Sequence, residues 1–121
     1  MKIENIKFKA KRLDGKGWAI GDLLHSYENG AIIVPIEGGG AFSVDPKTVC
    51  QFTGLKDCDG TDIFEGDLLA EKRFPMYEVG YVDSEFAASY IGENTFIFKL
   101  PALSKDCVVC GSKYDRKGGE K

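Results

Sequence analysis

The chain has 121 residues, of which 43% are hydrophobic and 29% charged, and its formal net charge is −3. This composition is typical of a globular protein and excludes a disordered chain. Because no run of 18 apolar residues occurs and the N-terminus lacks the apolar core of a signal peptide, we expect a soluble, cytoplasmic protein. Its four cysteines are then expected to be reduced thiols.

Charge is distributed unevenly along the chain. Residues 1–16 hold six Lys or Arg against two acids, residues 17–70 hold two against nine, and residues 71–121 hold eight of each. A general nucleic-acid binder usually has a broad basic face, which this distribution does not provide. The opposite charges of the first two segments suggest contact between them, within one subunit or between two. Two separately solvated surfaces would give the same pattern.

A period of two predicts a first strand near the N-terminus, where Ile6, Phe8 and Ala10 alternate with lysines. Lysines at this spacing discourage edge-to-edge pairing of strands. They could also contact phosphate groups. The candidate nucleic-acid contacts of the chain are therefore Lys7, Lys9, Lys11 and Arg12.

Turn residues separate the next predicted strands. Asp14-Gly15 predicts a hairpin turn, and so does the run Gly38–Gly40, because no Lys-Ser/Thr pair or helical segment follows it to form a phosphate loop. The extended segments that these turns delimit are Trp18–Ile20, Ala31–Ile36, Ala41–Val44 and Thr48–Phe52.

From Gly66 onward the pattern is strand, loop, long bent hairpin, strand, helical turn at Pro101–Leu103 and final strand at Cys107–Gly111. This order resembles a small SH3-like barrel. We therefore predict an all-β chain with an N-terminal β-hairpin subdomain over residues 1–50. An SH3-like barrel subdomain is predicted over residues 51–121.

The densest motif is TGLKDCDGTDIFEGD, which starts at Thr53. Its carboxylates do not fit a calcium loop, because glycine falls at position 4 rather than 6 and no helices flank it. We expect Asp57 and Asp59 to form turn hydrogen bonds and Asp67 to accept backbone N–H groups at a strand entry. The residues assigned to this structural motif are Gly54, Asp57, Gly60, Glu65, Gly66 and Asp67.

The same segment resembles the signature of the YopX-like phage and prophage proteins, T-G-L-x-D-x-x-G-x-x-I-[YF]-E-G-D-[IVL]. The opening IKFKAKRLDGKGWAIGDLL is similar to the family's N-terminal hairpin, and the strand at Cys107–Gly111 to its last one. The ending Ser112–Asp115 departs from the family's usual Asn-Ile-Tyr-Glu-Asn. The resemblance implies a phage-derived, mainly β protein with an SH3-like C-terminal part and a tendency to self-associate. It brings no accepted catalytic mechanism.

The cysteines and the single histidine bear on catalysis and metal binding. Zinc needs four convergent ligands, whereas Cys107 and Cys110 on a strand point to opposite faces, and Cys50 and Cys58 are unusually spaced. We expect buried or half-buried thiols and no metal or cofactor. His25 has no recognisable nucleophile motif beside it, so we expect no enzymatic activity.

Two functions remain from the sequence. The first is a non-enzymatic binding module that self-associates as a homo-oligomer and engages a host or phage protein. Its candidate protein contacts are Tyr77, Tyr81, Phe86 and Tyr90. The alternative is a nucleic-acid accessory protein in phage replication or regulation, because small β-barrels with aromatic and lysine side chains bind single strands.

Overall fold

The computed structural model describes residues 2–72 and 74–115. The fold is mainly β, with antiparallel strand pairing throughout the described residues, as the alternating sequence pattern predicts. The chain divides into two compact units, Met1–Phe52 and Thr53–Lys121. None of the helices in the described part is long and apolar enough to cross a membrane.

The strands of the first unit are β1 (Phe8–Lys11), β2 (Trp18–His25), β3 (Ala31–Pro35), β4 (Phe42–Val44) and the start of β5 (Cys50–Lys56). Strand β5 continues into the second unit, which also contains β6 (Asp62–Phe64), β7 (Asp67–Glu71), β8 (Phe74–Val82), β9 (Glu85–Tyr90), β10 (Phe98–Lys99), helix α1 (Leu100–Ser104) and β11 (Val108–Ser112). Short 3₁₀ turns lie at Ile3–Asn5, Tyr27–Asn29, Pro46–Thr48 and Lys113–Asp115.

The strands of the first unit form a curled antiparallel sheet in the order β4-β3-β2-β1-β5, and β6 follows β5 as the last strand of the same sheet. The edge strand β4 is hydrogen-bonded to the end of β1. Arg12 forms a β-bridge with Val44, and the Asp45 N–H donates to the Lys11 carbonyl at 2.8 Å. The inner face buries one apolar cluster, which comprises Ala10, Ala19, Ile33 and Val44. The hydrogen bonds at Arg12 therefore close the sheet at one end and leave β4 no open edge there.

The second unit is a five-stranded sheet in the order β10-β9-β8-β7-β11. Its buried cluster comprises Ile63, Leu69, Tyr77, Val79, Ala88, Leu100 and Cys107. On the opposite face the Phe96 ring lies so close to Gly80 that a side chain there would collide with it. Glycine at this position therefore permits the close approach.

The structure confirms some of the elements predicted from the sequence and not others. The helical turn at Pro101–Leu103 is confirmed as α1, whereas no pairing of β10 with β11 closes the second sheet among the described residues. The structure therefore does not confirm an SH3-like barrel. The predicted extended segment from Thr48 starts too early. Asp45 caps the 3₁₀ turn Pro46–Thr48, and β5 begins only at Cys50.

Candidate functional site

The central motif is organised around a buried carboxylate, that of Asp57, which is 7% exposed. Its Oδ1 accepts hydrogen bonds from the backbone N–H groups of Asp59 and Thr61, both at 2.9 Å. Its Oδ2 accepts from the Val109 N–H on β11 at 2.8 Å. Burial by itself would raise the pKa of Asp57, but the N–H groups of Val109, Thr61 and Asp59 lower it below its usual range.

The turn around Asp57 protects the outer edge of β11. Besides the bond from Val109 to Asp57, the Cys58 N–H donates to the Cys107 carbonyl at 3.1 Å. Without the turn, the Val109 N–H and the Cys107 carbonyl would be available for hydrogen bonds to a strand of another chain. The turn therefore covers part of an exposed sheet edge, which its sequence does not reveal.

Gly66 and Asp67 hold the turn that leads into β7. Gly66 has φ of 85°, donates its N–H to the Val79 carbonyl at 2.8 Å, and accepts from the Lys113 N–H at 2.9 Å. Asp67 is 1% exposed, and its Oδ2 accepts from the Phe64 N–H at 2.8 Å. Both residues therefore contribute to architecture, because a buried carboxylate in this position satisfies a backbone donor.

The remaining motif residues also lie in turns or strand contacts. Gly54 and Gly60 have φ of 86° and 85°, in the left-handed region that favours glycine. The Thr53 hydroxyl donates to the Ile63 carbonyl at 2.7 Å, linking β5 to β6. Glu65 is half-buried in the turn before β7. The motif's hydrogen bonds thus join β5, β6, β7 and β11.

The cysteines occupy contrasting positions. The expectation of buried or half-buried thiols is confirmed for Cys50 and Cys107, which are buried, and is wrong for Cys58 and Cys110, which are exposed. Burial, and then the nearby Glu71 carboxylate, raises the pKa of the Cys107 thiol to about 11, so this thiol is protonated at neutral pH. No group of three or more His, Cys, Asp or Glu side chains within residues 2–72 and 74–115 is arranged to hold a metal ion.

The basic side chains of the first strand lie against aromatic rings of their own unit. The Lys7 ammonium is 4.7 Å from the centroid of the Phe52 ring, and the Lys9 ammonium is 4.6 Å from that of Trp18. Lys11 lies on the same Trp18 ring at 5.6 Å, and the Arg12 guanidinium lies 4.0 Å from the Phe42 ring. Each cation therefore has a cation–π contact that orients it.

An aromatic pair stands near the tip of the β8–β9 hairpin. Tyr81 pairs with Phe86 in the register of the two strands, so both side chains are on one face. Their ring centroids are 4.9 Å apart, and Tyr81 is 53% exposed. The turn that joins the strands has φ of 54° at Asp83 and 67° at Ser84. This pair is therefore presented on a tight two-residue turn.

A second aromatic group lies further along the same face. Tyr90 is 42% exposed and stacks on Tyr77 at 5.6 Å between ring centroids, while Phe98 meets Tyr90 edge-on at 5.0 Å. Tyr77 itself is only 7% exposed, and its hydroxyl approaches a Glu71 carboxylate oxygen at 3.4 Å. Burial first, then Glu71, raises the pKa of Tyr77. Tyr77 is thus placed beneath Tyr90 rather than at the surface.

A groove beside this second group escaped the sequence reasoning. It has a volume of about 370 Å³ and lies between β10 and α1, and its lining residues are Ile97, Phe98, Lys99, Ala102, Leu103 and Asp106. The predicted helical turn after an aromatic strand was the signal available for it. That signal could not locate the groove, since the groove depends on how α1 packs against β10.

The fold and the central motif together define an antiparallel β protein of two small units. The turns of the motif are hydrogen-bonded to neighbouring strands. The family model described as YopX protein matches residues 7–117. The chain belongs to this family, as the motif beginning at Thr53 indicated. A search of the curated proteins finds no match.

Proposed function

We propose that this protein is a non-enzymatic binding module that engages a host or phage protein through the aromatic face of its second unit. The observation that carries the proposal is the exposure of Tyr81 and Tyr90 on one face of the β8–β9 hairpin. Tyrosine suits such contacts because a large apolar ring carries a polar hydroxyl.

The spacing of this face defines what a partner must provide. Tyr81 pairs with Phe86, and Tyr90 pairs with Tyr77 four residues before Tyr81 on β8. Four residues of strand span roughly 13 Å, so a partner contacts two aromatic groups separated by about that length. Val79 and Ala88 lie between the groups and belong to the buried cluster of the unit, so a partner meets the two aromatic groups at the rim of that cluster.

The proposal includes an SH3-like second unit, cytoplasmic location in a bacterial host, origin in a phage or prophage, and homo-oligomer formation. An SH3-like unit is supported by the order of its elements: a meander from β7 to β10, a helical turn, and a last strand that pairs with β7. The cytoplasmic location, the phage or prophage origin and the homo-oligomer are supported by the family resemblance and by the sequence expectations.

A photo-crosslinking experiment tests the aromatic face. Benzoylphenylalanine replaces Tyr81 in one variant and Phe74 in the control, because Phe74 is a 71% exposed aromatic residue at the other end of β8. We expect a protease-sensitive, nuclease-resistant adduct from position 81 only, lost when Tyr90 is also replaced by serine. Recovery of nucleic acid alone, without a protein partner, would sink the proposal.

A nucleic-acid accessory role is the second candidate. The cation–π contacts of the lysines along β1 favour it. Lys7, Lys9 and Lys11 are placed among the rings of Phe52 and Trp18, and cations interleaved with aromatic rings are typical of single-strand binding surfaces. Gel-shift titration at several salt concentrations tests it. Lys9→Ala should lower the salt slope by about one, and Lys99→Ala should leave it unchanged. A slope near zero would exclude phosphate-based binding.

A further inference from the structure

The outer face of the first unit carries a row of cations beside a band of aliphatic side chains. Strand pairing places Lys9 of β1 beside Ile20 of β2, and Leu24 of β2 beside Ile32 of β3. Alternate residues of a strand share a face, so these pairs identify the other members of the face. The basic row comprises Lys7, Lys9 and Lys11, and the aliphatic band comprises Ile20, Leu24, Ile32 and Val34.

The charge of this face is positive. Each ammonium of the basic row lies against an aromatic ring of the same unit, and that contact orients it. The three cations outnumber the one carboxylate that faces outward on these strands, that of Asp22. Continued by one residue, the register of β1 and β2 places Asp22 beside Lys7, so the opposing charge lies at one end of the basic row. A ligand complementary to this face is therefore anionic.

The aliphatic band determines what else the ligand must carry. Ile20 and Leu24 are 48% and 52% exposed, and Ile32 and Val34 are half-buried beside them. Branched aliphatic side chains are stabilised by contact with apolar side chains, and they offer no ring on which a base could stack. The face therefore suits an anionic protein segment with apolar side chains of its own better than it suits a nucleic acid.

The width of the face favours a helical segment. Neighbouring strands are roughly 4.8 Å apart, so the basic row on β1 and the aliphatic band on β2 and β3 together span roughly 10 Å. An extended chain presents a single row of side chains to a surface, and that row meets either the cations or the band. An α-helix is roughly 10 Å wide, so a stripe of carboxylates beside an apolar stripe meets both. Carboxylates four residues apart on a helix are separated by roughly 6 Å, close to the roughly 7 Å between alternate residues of β1.

We propose that this face binds an acidic amphipathic helix of a partner protein. The carboxylates of the helix pair with the basic row, and its apolar side chains contact Ile20 and Leu24. Between those two contacts, a side chain with a hydrogen-bond donor faces Asp22. The face that bears Tyr81 and Tyr90 belongs to the second unit, so either proposal can fail without the other. The basic row is also the surface of the nucleic-acid candidate, and the experiment therefore includes both kinds of ligand.

The experiment uses the full-length chain and a library of helical peptides of about five turns, in which the surface positions are randomised. Peptides selected on the immobilised protein are synthesised without tryptophan, and their affinities are measured by fluorescence anisotropy. We expect an apolar stripe with Asp or Glu at intervals of four residues along one side of it. Binding should also change the emission of Trp18, which is the one tryptophan of the chain.

Matched variants locate the binding on the protein. Lys9→Glu and Leu24→Ser should each weaken peptide affinity by about tenfold or more, and Lys9→Gln by about threefold or more. The controls Lys105→Glu and Ile3→Ser make comparable changes at exposed positions outside this face. They should change affinity by less than about twofold. Thermal melting of each variant establishes that the fold is retained.

Several results would overturn this proposal. Selection that enriches nothing beyond the bare support, or that enriches peptides without carboxylates, would do so. So would an equal loss of affinity in Lys9→Glu and Lys105→Glu. Tighter binding of oligothymidylate or anionic vesicles than of the selected peptides, weakened by Lys9→Glu, would assign the face to phosphate groups. Loss of peptide binding in Tyr81→Ser but not in Lys9→Glu would assign the peptides to the aromatic face.

Discussion

Replacement of Asp57 by alanine should destabilise the second unit more than any other single carboxylate truncation in the turn that Asp57 organises. The side chain accepts three backbone hydrogen bonds, two within its own turn and one from Val109 on β11. Alanine removes all three acceptors and also uncovers part of the β11 edge.

The size of the effect follows from the surroundings of the three donors. A hydrogen bond to a charged group contributes roughly 1.5–3 kcal/mol, with the upper part of that range applying where the donor is shielded from water. Asp59 and Thr61 are exposed, so their N–H groups hydrogen-bond to water when the carboxylate is removed. Val109 is half-buried, so its N–H group is more shielded from water. We therefore expect Asp57→Ala to lower the free energy of unfolding by about 3–4 kcal/mol, and Asp57→Asn by about half of that.

The effect should depend on pH. The folded-state pKa of Asp57 lies below its usual value, so the carboxylate stabilises the fold above the unfolded pKa. This contribution disappears as the pH falls through the folded pKa. The difference between the parent and Asp57→Ala should therefore be constant near neutrality and shrink below about pH 4.

Urea unfolding followed by far-UV circular dichroism measures the effect, and Trp18 fluorescence reports separately on the first unit. Asp59→Ala is the matched control, because Asp59 is an exposed acid of the same turn. It should change stability by less than about 0.5 kcal/mol. If Asp57→Ala were no more destabilising than Asp59→Ala, the three hydrogen bonds would not have the role we assign to them.

Four further predictions concern backbone conformation, the buried carboxylate of Asp67 and domain organisation. Gly66→Val should lower the free energy of unfolding by about 3 kcal/mol, because a branched residue is strained at φ of 85°, and Asp67→Ala by about 1–2 kcal/mol. Ser84→Gly should raise it by about 0.5–1 kcal/mol, because Ser84 has φ of 67° in a hairpin turn that favours glycine. Removal of residues 1–50 should leave a folded but less stable chain, because the buried cluster of the second unit includes none of them.

Chemical unfolding checks the point variants, and cooperative melting by circular dichroism checks the truncation. An Asp67→Ala variant that melts like the parent yet loses all partner binding would make Asp67 functional rather than architectural. A Ser84→Gly variant less stable than the parent would show that the serine side chain stabilises the turn. Absence of any cooperative transition in the truncated chain would show that the two parts share one core.

Local pattern determined the class of fold and many of its turns. A period of two places alternate residues on opposite faces of a strand whatever the strand packs against, so the strand at Phe8 and the hairpin of Tyr81 and Phe86 were predictable. Glycine in turn-forming pairs likewise indicated Gly60, whose φ is positive. The motif beginning at Thr53 was long enough to indicate the family.

Tertiary structure decided burial, edge protection and grooves. Tyr77 and Tyr81 share one face of β8, yet only Tyr77 is covered, because Tyr90 and Phe98 pack against its ring. Asp57 meets Val109 at a separation of 52 residues, and no local period encodes that pairing. Alternation specifies the face on which a side chain lies. Which part of that face is buried depends on residues distant in the chain, whose contacts form only when the strands assemble.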